Sequence, residues 1–191
     1  MITLPSRRIG ILILSVIPMI CAVSTGSLGQ GQWQTEVQIK LSWEYTGLSP
    51  GMRVYEPREG AVLKVWETGS VKQEKDLPVS REVANSNVSV ARGGHKILVL
   101  VYENKTAQPV YFFAVPHNVS PPESALGLKI KCLCINQAFE VGSGDLWYRI
   151  IEVQASKNFI GEGFEIKHTI VAIDKERKRK FEKPMGFFES N

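Results

Sequence analysis

The sequence has few of the residues from which catalytic and metal sites are usually built. Three cysteines and three histidines occur in 191 residues, and two of the cysteines, Cys132 and Cys134, are separated by one residue. Structural zinc sites usually draw four ligands from paired C-x-x-C knuckles, and no such knuckle occurs here. No Ser-His-Asp, paired-carboxylate or glycine-rich phosphate pattern occurs either. These absences argue against a hydrolase or a nucleotide-binding enzyme, and we expect a protein that is not an enzyme.

Charged residues are missing between Arg8 and Glu36, and residues 9–23 are almost wholly apolar. Positive charges at Arg7 and Arg8 ahead of an apolar run keep the N-terminus in the cytoplasm and export the chain that follows. We therefore predict residues 1–29 to be an N-terminal membrane anchor or a signal segment. The apolar run of 15 residues suits a signal segment, because a membrane span of about 20 residues would need residues beyond it.

The net charge of +4 is concentrated near the C-terminus. Residues 175–183 (KERKRKFEK) alone contain six basic and two acidic residues. An exported domain rarely meets nucleic acid, so we expect no nucleic-acid partner and interpret residues 175–191 as a basic C-terminal tail, helical or disordered. Contact of this tail with anionic lipid is the alternative.

Hydrophobic and polar residues alternate in several short segments, as expected for half-buried strands. Residues 36–45 (EVQIKLSWEY) show the pattern most clearly, and further strands are predicted at residues 61–66, 86–91, 96–102, 110–115, 128–135, 146–153 and 164–173. A turn at residues 103–106 predicts that the strands on either side pair as a hairpin, and the polar residues 67–83 are predicted to form a loop. Residues 30–174 are therefore expected to be one all-β domain, a β-sandwich of about seven or eight strands.

Cys132 and Cys134 lie within the predicted strand at residues 128–135. Alternation along an extended strand would place both thiols on one face, with Cα atoms about 6.6 to 7 Å apart. That separation is near the upper limit for a disulfide, so a bond between the two sulfurs would be strained. Two thiolates that converge on one soft ion fit the same spacing, and copper(I) is an ion that sulfur ligands select.

The other candidate ligands are less distinctive. His117, in the Val-Pro-His segment at residues 115–117, is the next candidate after the two cysteines, although an ordinary surface histidine explains it as well. His95 and His168 are not expected to bind metal. A second chain would offer further thiolates, so a homodimer that shares copper face to face is one arrangement of the site. If the pair binds no metal, two core-facing thiols or an ordinary disulfide explain it.

The segment around the cysteine pair resembles the CtaG family of membrane-anchored copper-delivery factors for cytochrome c oxidase assembly. That family has a CFCF motif in a strand of an immunoglobulin-like domain, after a Val-Pro stretch and a lysine and before a glutamine and a Pro-Gly-Glu turn. The matching pieces are a Val-Pro pair at residues 115–116, residues 129–135 (KIKCLCI), Gln137 and a turn at residues 142–145. The resemblance implies an immunoglobulin-like fold and copper(I) bound by both cysteines.

The same family has a further cysteine just outside its membrane segment, within a Pro…Cys…Thr-Gly…Gly run. A similar run with altered spacing occurs here at Pro18, Cys21, Thr25, Gly26 and Gly29. This implies an uncleaved single-pass anchor in a bacterial cytoplasmic membrane, with the C-terminal domain in the periplasm and Cys21 able to exchange with the C-x-C pair. Leu133 and Ile135 depart from the family, because they replace its two aromatic residues, and its C-terminal Asp-Pro element has no clear counterpart.

Together these patterns predict a copper(I)-binding metallochaperone that delivers copper to a membrane protein such as a cytochrome c oxidase subunit. Cys132 and Cys134 are the predicted metal ligands, with Cys21 and His117 as auxiliary residues. Two alternatives stay open. One is a periplasmic thiol–disulfide oxidoreductase, which would need a feature such as a helix N-terminus to lower a thiol pKa. The other is a structural β-sandwich subunit of a membrane complex.

Overall fold

The structure is a computed structural model that describes residues 35–182. The predicted membrane anchor at residues 1–29, with Cys21, lies outside the described residues, as does the end of the basic tail. Within residues 35–182, no helix is both long and apolar enough to cross a membrane.

The described chain consists almost entirely of short strands. They are β1 (Glu36–Thr46), β2 (Arg53–Pro57), β3 (Thr68–Val71), β4 (Val79–Glu82), β5 (Asn87–Ala91), β6 (His95–Glu103), β7 (Val110–Ala114), β8 (Asn118–Ser120), β9 (Leu128–Lys131), β10 (Ala138–Val141), β11 (Leu146–Ala155) and β12 (Gly163–Ile173). One α-helix, α1 (Lys175–Glu182), follows, and 3-10 turns lie at Glu74–Asp76, Ala84–Ser86 and Pro122–Gly127. The expected all-β class is confirmed, with more strands than the seven or eight predicted.

The strands form two six-stranded sheets. The first sheet has the order β10-β7-β12-β1-β5, with β8 added against β12, and the second has the order β3-β11-β6-β2-β4, with β9 added against β11. β1 and β12 pair in parallel, whereas the other pairs are antiparallel. Successive strands often belong to opposite sheets, as in Greek-key sandwiches.

The main hydrophobic core lies between the two sheets. Three rings link the sheets near its centre: Phe112 of β7 and Phe139 of β10 contact Trp147 of β11 with ring centroids 5.3 and 5.1 Å apart. A smaller cluster lies on the outer face of the second sheet and includes Leu77 and Ile150. The inner core therefore joins the sheets that position the cysteine segment.

The predicted hairpin between residues 96–102 and 110–115 is wrong. β6 pairs with β11 and β2, whereas β7 pairs with β10 and β12 in the other sheet. The buried Asn104 holds this crossing, because its Nδ2 donates to the carbonyl oxygens of Gln108, Val141 and Gly142 at 2.8, 3.0 and 3.0 Å. The sequence shows the turn residues but not which strands pair with the two strands that the turn connects.

The interpretation of residues 61–83 is also wrong in detail. Residues 61–66 form no strand, because the chain turns there and Trp66 has a φ of 73°, in the left-handed region that ends an extended run. The supposed loop at residues 67–83 contains β3 and β4, the two edges of the second sheet. Edge strands tolerate polar residues because one side faces water, and this explains why their composition resembled a loop.

The start of the basic tail is helical and packs on the first sheet. Phe181 of α1 contacts Phe113 of β7 with ring centroids 5.4 Å apart, and Lys178 pairs with Glu140 of β10 at 3.1 Å. The helix therefore covers the edge where β10 ends the sheet.

Candidate metal centre

The two cysteines lie in a loop that follows β9. The strand ends at Lys131, and not at Ile135 as the alternation predicted. Cys132 and Leu133 are consecutive and both buried, with 4% and 0% of their surface exposed. Both belong to the core between the two sheets, whereas a strand would send one of them to its outer face, so the chain leaves the extended conformation here. The strand prediction for residues 132–135 is therefore wrong.

A tight turn brings the two thiols together. The amide of Ile135 donates to the carbonyl oxygen of Leu133 at 2.9 Å, which closes a three-residue turn centred on Cys134. Leu133 points into the core between the sheets and fixes the middle of the loop. The two sulfur atoms are 3.5 Å apart, and both cysteines are free thiols. The predicted convergence of the thiols is present, although a turn and not a strand produces it.

His117 completes a triangle with the two sulfurs. Its Nδ1 lies 3.7 Å from the sulfur of Cys132 and 3.6 Å from that of Cys134. His117 is placed by the link between β7 and β8, and the Cys134 thiol donates to the carbonyl oxygen of Val115 in that link at 3.3 Å. Donor atoms around one tetrahedral ion are about 3.3 to 3.8 Å apart when their bonds are about 2.0 to 2.3 Å long. All three distances fall in this range.

His168 brings a second imidazole to the same place. It lies on β12, where the inward side of the strand also carries Ile166 and Ile170, and it is 0% exposed. One ligand atom from each of His117, His168 and the two cysteines can be chosen so that all lie within 4.8 Å of one another. The expectation that His168 binds no metal overlooks its place in the alternation, which puts it on the buried face, where an imidazole needs a partner.

The two thiols have opposite pKa shifts. The hydrogen bond between the two sulfurs lowers the pKa of Cys132 far below its usual range, burial opposes this, and the imidazoles of His117 and His168 lower the pKa further. The hydrogen bond to Cys132, burial and the negative charge on Cys132 raise the pKa of Cys134. The two opposite shifts have the same main cause, the hydrogen bond between the two sulfurs.

A buried guanidinium lies behind the cysteine loop. Arg149 of β11 is 1% exposed, and its Nε donates to the carbonyl oxygen of Cys132 at 3.2 Å. Its Nη1 donates to Thr68 Oγ1 at 2.6 Å, and its charge lies 5.1 Å from the centre of the Phe139 ring. Burial lowers the pKa of Arg149, and the neighbouring charge on Cys132 raises it in return. The site thus contains a positive charge close to its thiolate.

The four donors differ in their access to water. Cys132 and His168 are buried, whereas His117 and Cys134 are only partly buried. Ile135, beside Cys134, is an exposed large hydrophobic residue. The site therefore has an inner pair of donors in the core and an outer pair at the surface. Of the remaining sequence candidates, His95 lies on the exposed side of β6 and outside this cluster.

A family model described as a domain of unknown function, DUF8709, matches residues 37–173. The chain belongs to the DUF8709 family. The DUF8709 region extends from β1 to the end of β12, so it contains both sheets and all four donors. Comparison with curated proteins gives no match.

Proposed function

We propose that this DUF8709 domain is a copper(I)-binding metallochaperone that delivers copper to a membrane copper protein, such as a cytochrome c oxidase subunit. Cys132 and Cys134 hold the ion as thiolates, and His117 is the third donor. The observation that carries the proposal is the triangle of two sulfurs and one imidazole nitrogen, 3.5 to 3.7 Å on each side, at the surface of a folded domain.

The chemistry of the donors supports a soft ion. Thiolates favour copper(I), and the lowered pKa of Cys132 supplies one of them without the help of a metal. The nearby Arg149 contacts the backbone of Cys132, and its positive charge attracts a negative charge on that residue. Two thiolates and copper(I) carry a net charge of minus one, and the guanidinium compensates for that charge in the protein interior.

The uneven burial of the donors supports transfer to a partner. A donor of the acceptor approaches from the side of His117 and Cys134, and each new bond from copper to the acceptor replaces a bond to this chain. Copper remains copper(I) throughout, so no electron is exchanged. The exposed Ile135 beside Cys134 gives a docking partner an apolar contact next to the ion.

The resemblance to the CtaG family supports the choice of acceptor and of location. We propose that the sandwich is immunoglobulin-like and that residues 1–29 anchor it in a bacterial cytoplasmic membrane as a single span, with the domain in the periplasm. In this arrangement the Cys21 thiolate can attack a disulfide formed by oxidation of Cys132 and Cys134, which gives a mixed disulfide with one sulfur and releases the other as a thiolate.

The test is anaerobic loading of the full-length chain in detergent with copper(I), followed by a count of ions per chain. A Cys132→Ser, Cys134→Ser double variant is measured beside the parent, and Cys21→Ser is the matched control for a cysteine outside the centre. We expect near-stoichiometric copper in the parent and in Cys21→Ser, and its loss in the double variant. Equal copper in the parent and the double variant would overturn the proposal.

Zinc is a second candidate ion, because two thiolates and two imidazoles form one of its usual structural sets. In that case the ion would tie the β7–β8 link, the cysteine loop and β12 together and would remain bound. Zinc and copper(I) are allowed to compete for the same chain, and the loaded chain is then mixed with an apo acceptor. A chaperone passes its ion to the acceptor, whereas a structural site retains it.

A thiol–disulfide oxidoreductase is favoured by one observation, the lowered pKa of Cys132. Its test is reduction of a disulfide substrate by the metal-free chain. Neither cysteine lies at a helix N-terminus in residues 35–182, so the low pKa has a different origin from that in helix-based redox motifs. A purely structural role in a membrane complex predicts neither metal binding nor disulfide exchange.

A further inference from the structure

His168 is a polar side chain in an apolar place. It is 0% exposed on the inner face of β12, between core residues Ile166 and Ile170. Neither ring nitrogen makes a hydrogen bond of normal length and angle among residues 35–182, although the imidazole interacts electrostatically with Cys132. A buried polar group without a partner is costly, and such groups are rare in folded proteins. A bond from an ion to one of these nitrogens would offset that cost.

The surroundings of the ring restrict where that partner can lie. Trp43 of β1, paired with His168 in the parallel register, stacks on its ring with centroids 5.1 Å apart and an angle of 27° between the planes. The ring of His117 lies 5.4 Å away. The two cysteine sulfurs and a His117 nitrogen are within 4.8 Å of the His168 ligand atom. The other three donors thus lie near one nitrogen of His168.

We propose that His168 is the fourth ligand and that one chain alone builds a complete Cys2His2 centre. The triangle of Cys132, Cys134 and His117 already has the edge lengths of one face of a coordination tetrahedron. His168 is the apex on the core side. A bond to the ion gives one of its ring nitrogens a partner. The identity of the ion rests on the proposed function, but the existence of the four-donor centre does not.

This assignment changes the expected assembly of the site. A pair of thiolates alone would leave copper open to ligands from a second chain, as in a homodimer that shares the ion. With His117 and His168 present, the coordination is complete within one chain, so the metal-loaded domain needs no partner copy. It also sets an order of release, because His117 and Cys134 are accessible to an acceptor while Cys132 and His168 retain the ion from the core side.

The experiment is X-ray absorption spectroscopy of the full-length chain in detergent, loaded separately with copper(I) and with cobalt(II), with mass measured in parallel. We expect two sulfur and two nitrogen neighbours per ion and one ion per monomer. His168→Phe should show one nitrogen fewer and at least about tenfold weaker binding. His95→Phe, at an exposed position of β6, is the matched control and should match the parent.

The parent spectrum decides the inference even if His168→Phe does not fold. An ion with sulfur neighbours alone, or one ion bridging two chains, would overturn it while leaving the copper chaperone proposal intact. Cobalt(II) bound by two sulfurs and two nitrogens with no uptake of copper(I) would support the four-donor centre and overturn the copper chaperone proposal. Circular dichroism and a second variant, His168→Gln, separate loss of the ligand from loss of the fold, and an unchanged nitrogen count in a folded variant would also refute the assignment.

Discussion

At Cys132 and Cys134, two identical side chains two residues apart have acquired opposite acidities. Cys132 is the more buried of the two, yet its hydrogen bond with Cys134 outweighs the effect of burial on its pKa. The same hydrogen bond and burial both raise the pKa of Cys134. The difference in pKa between the two thiols follows from their contacts in the folded protein and not from their residue type.

These shifts predict how the stability of the metal-free domain depends on pH. The lowered pKa of Cys132 adds stability that is complete above the unfolded thiol pKa of about 8.5 and declines as the pH falls. The raised pKa of Cys134 adds stability that is complete below about pH 8.5 and declines as the pH rises. The contribution of the pair should therefore be greatest near about pH 8.5.

Urea unfolding over a pH series measures this contribution as the difference in free energy between the parent and the Cys132→Ser, Cys134→Ser variant. Thiolate ultraviolet absorbance at neutral pH provides an independent check and should correspond to one thiolate per C-x-C pair. A difference that does not vary with pH would show that the two thiols are not coupled. Both chains are kept metal-free and reduced.

At the scale of elements, the site depends on the contacts that anchor the loop after β9 to the core. Leu133 is 0% exposed between the two ligands and belongs to the core between the sheets. Leu133→Ala should destabilise the domain by about 2 to 5 kcal/mol, because it removes buried methyl groups and leaves a cavity. It should also weaken metal binding, since the loop loses its anchor.

Denaturant unfolding and metal affinity are both measured on Leu133→Ala, with Ile135→Ala as the control at the neighbouring, more exposed position. The control should change the free energy of unfolding much less. Full metal affinity in a destabilised but folded Leu133→Ala chain would show that the turn, and not the buried leucine, orders the thiols.

The crossing from β6 to β7 depends on another single side chain. Asn104 is 0% exposed and donates to three carbonyl oxygens, and its Oδ1 accepts from the amide and hydroxyl of Thr106 at 3.0 and 2.7 Å. Asn104→Ala leaves several of these groups unsatisfied and should cost about 2 to 4 kcal/mol of unfolding free energy. Asn118→Ala, at an exposed position, is the control. Equal stability of the two variants would remove Asn104 from this role.

At the scale of the whole molecule, the four donors connect segments that are distant in sequence. His168 lies on β12 of the first sheet, and His117 lies in the link between β7 and β8. The cysteines lie in the loop after β9, and β9 pairs with β11 of the second sheet. A bound ion therefore joins the two sheets at one place. Ions that bind the folded state but not the unfolded state stabilise the fold by mass action.

Metal should accordingly raise the melting temperature of the domain. At a free ion concentration of 100 times the dissociation constant the gain is about 2.7 kcal/mol, which corresponds to roughly 5 to 10 °C for a chain of this size. Calorimetry of the parent and the Cys132→Ser, Cys134→Ser variant measures the shift, which the variant should lack. An equal rise in the variant would place the stabilising ion elsewhere.

Alternation of polar and apolar residues was sufficient to predict the long strands but not their partners. The predicted segment at residues 36–45 coincides with most of β1, because one buried face repeats every second residue. β3 and β4 were missed, since edge strands carry polar residues and leave only a weak pattern. The hairpin prediction failed because the sequence shows the turn near Asn104 but not which sheet the next strand joins.

The sequence by itself determined the all-β class and the rare pair of cysteines, because local periodicity and residue chemistry need no distant neighbour. Only the tertiary structure decided that His117 and His168, which are 51 residues apart, meet these cysteines. It also decided that Arg149 lies behind them and that the two thiols have opposite pKa shifts. These properties depend on distances between side chains from different strands, and such distances exist only after the two sheets have packed.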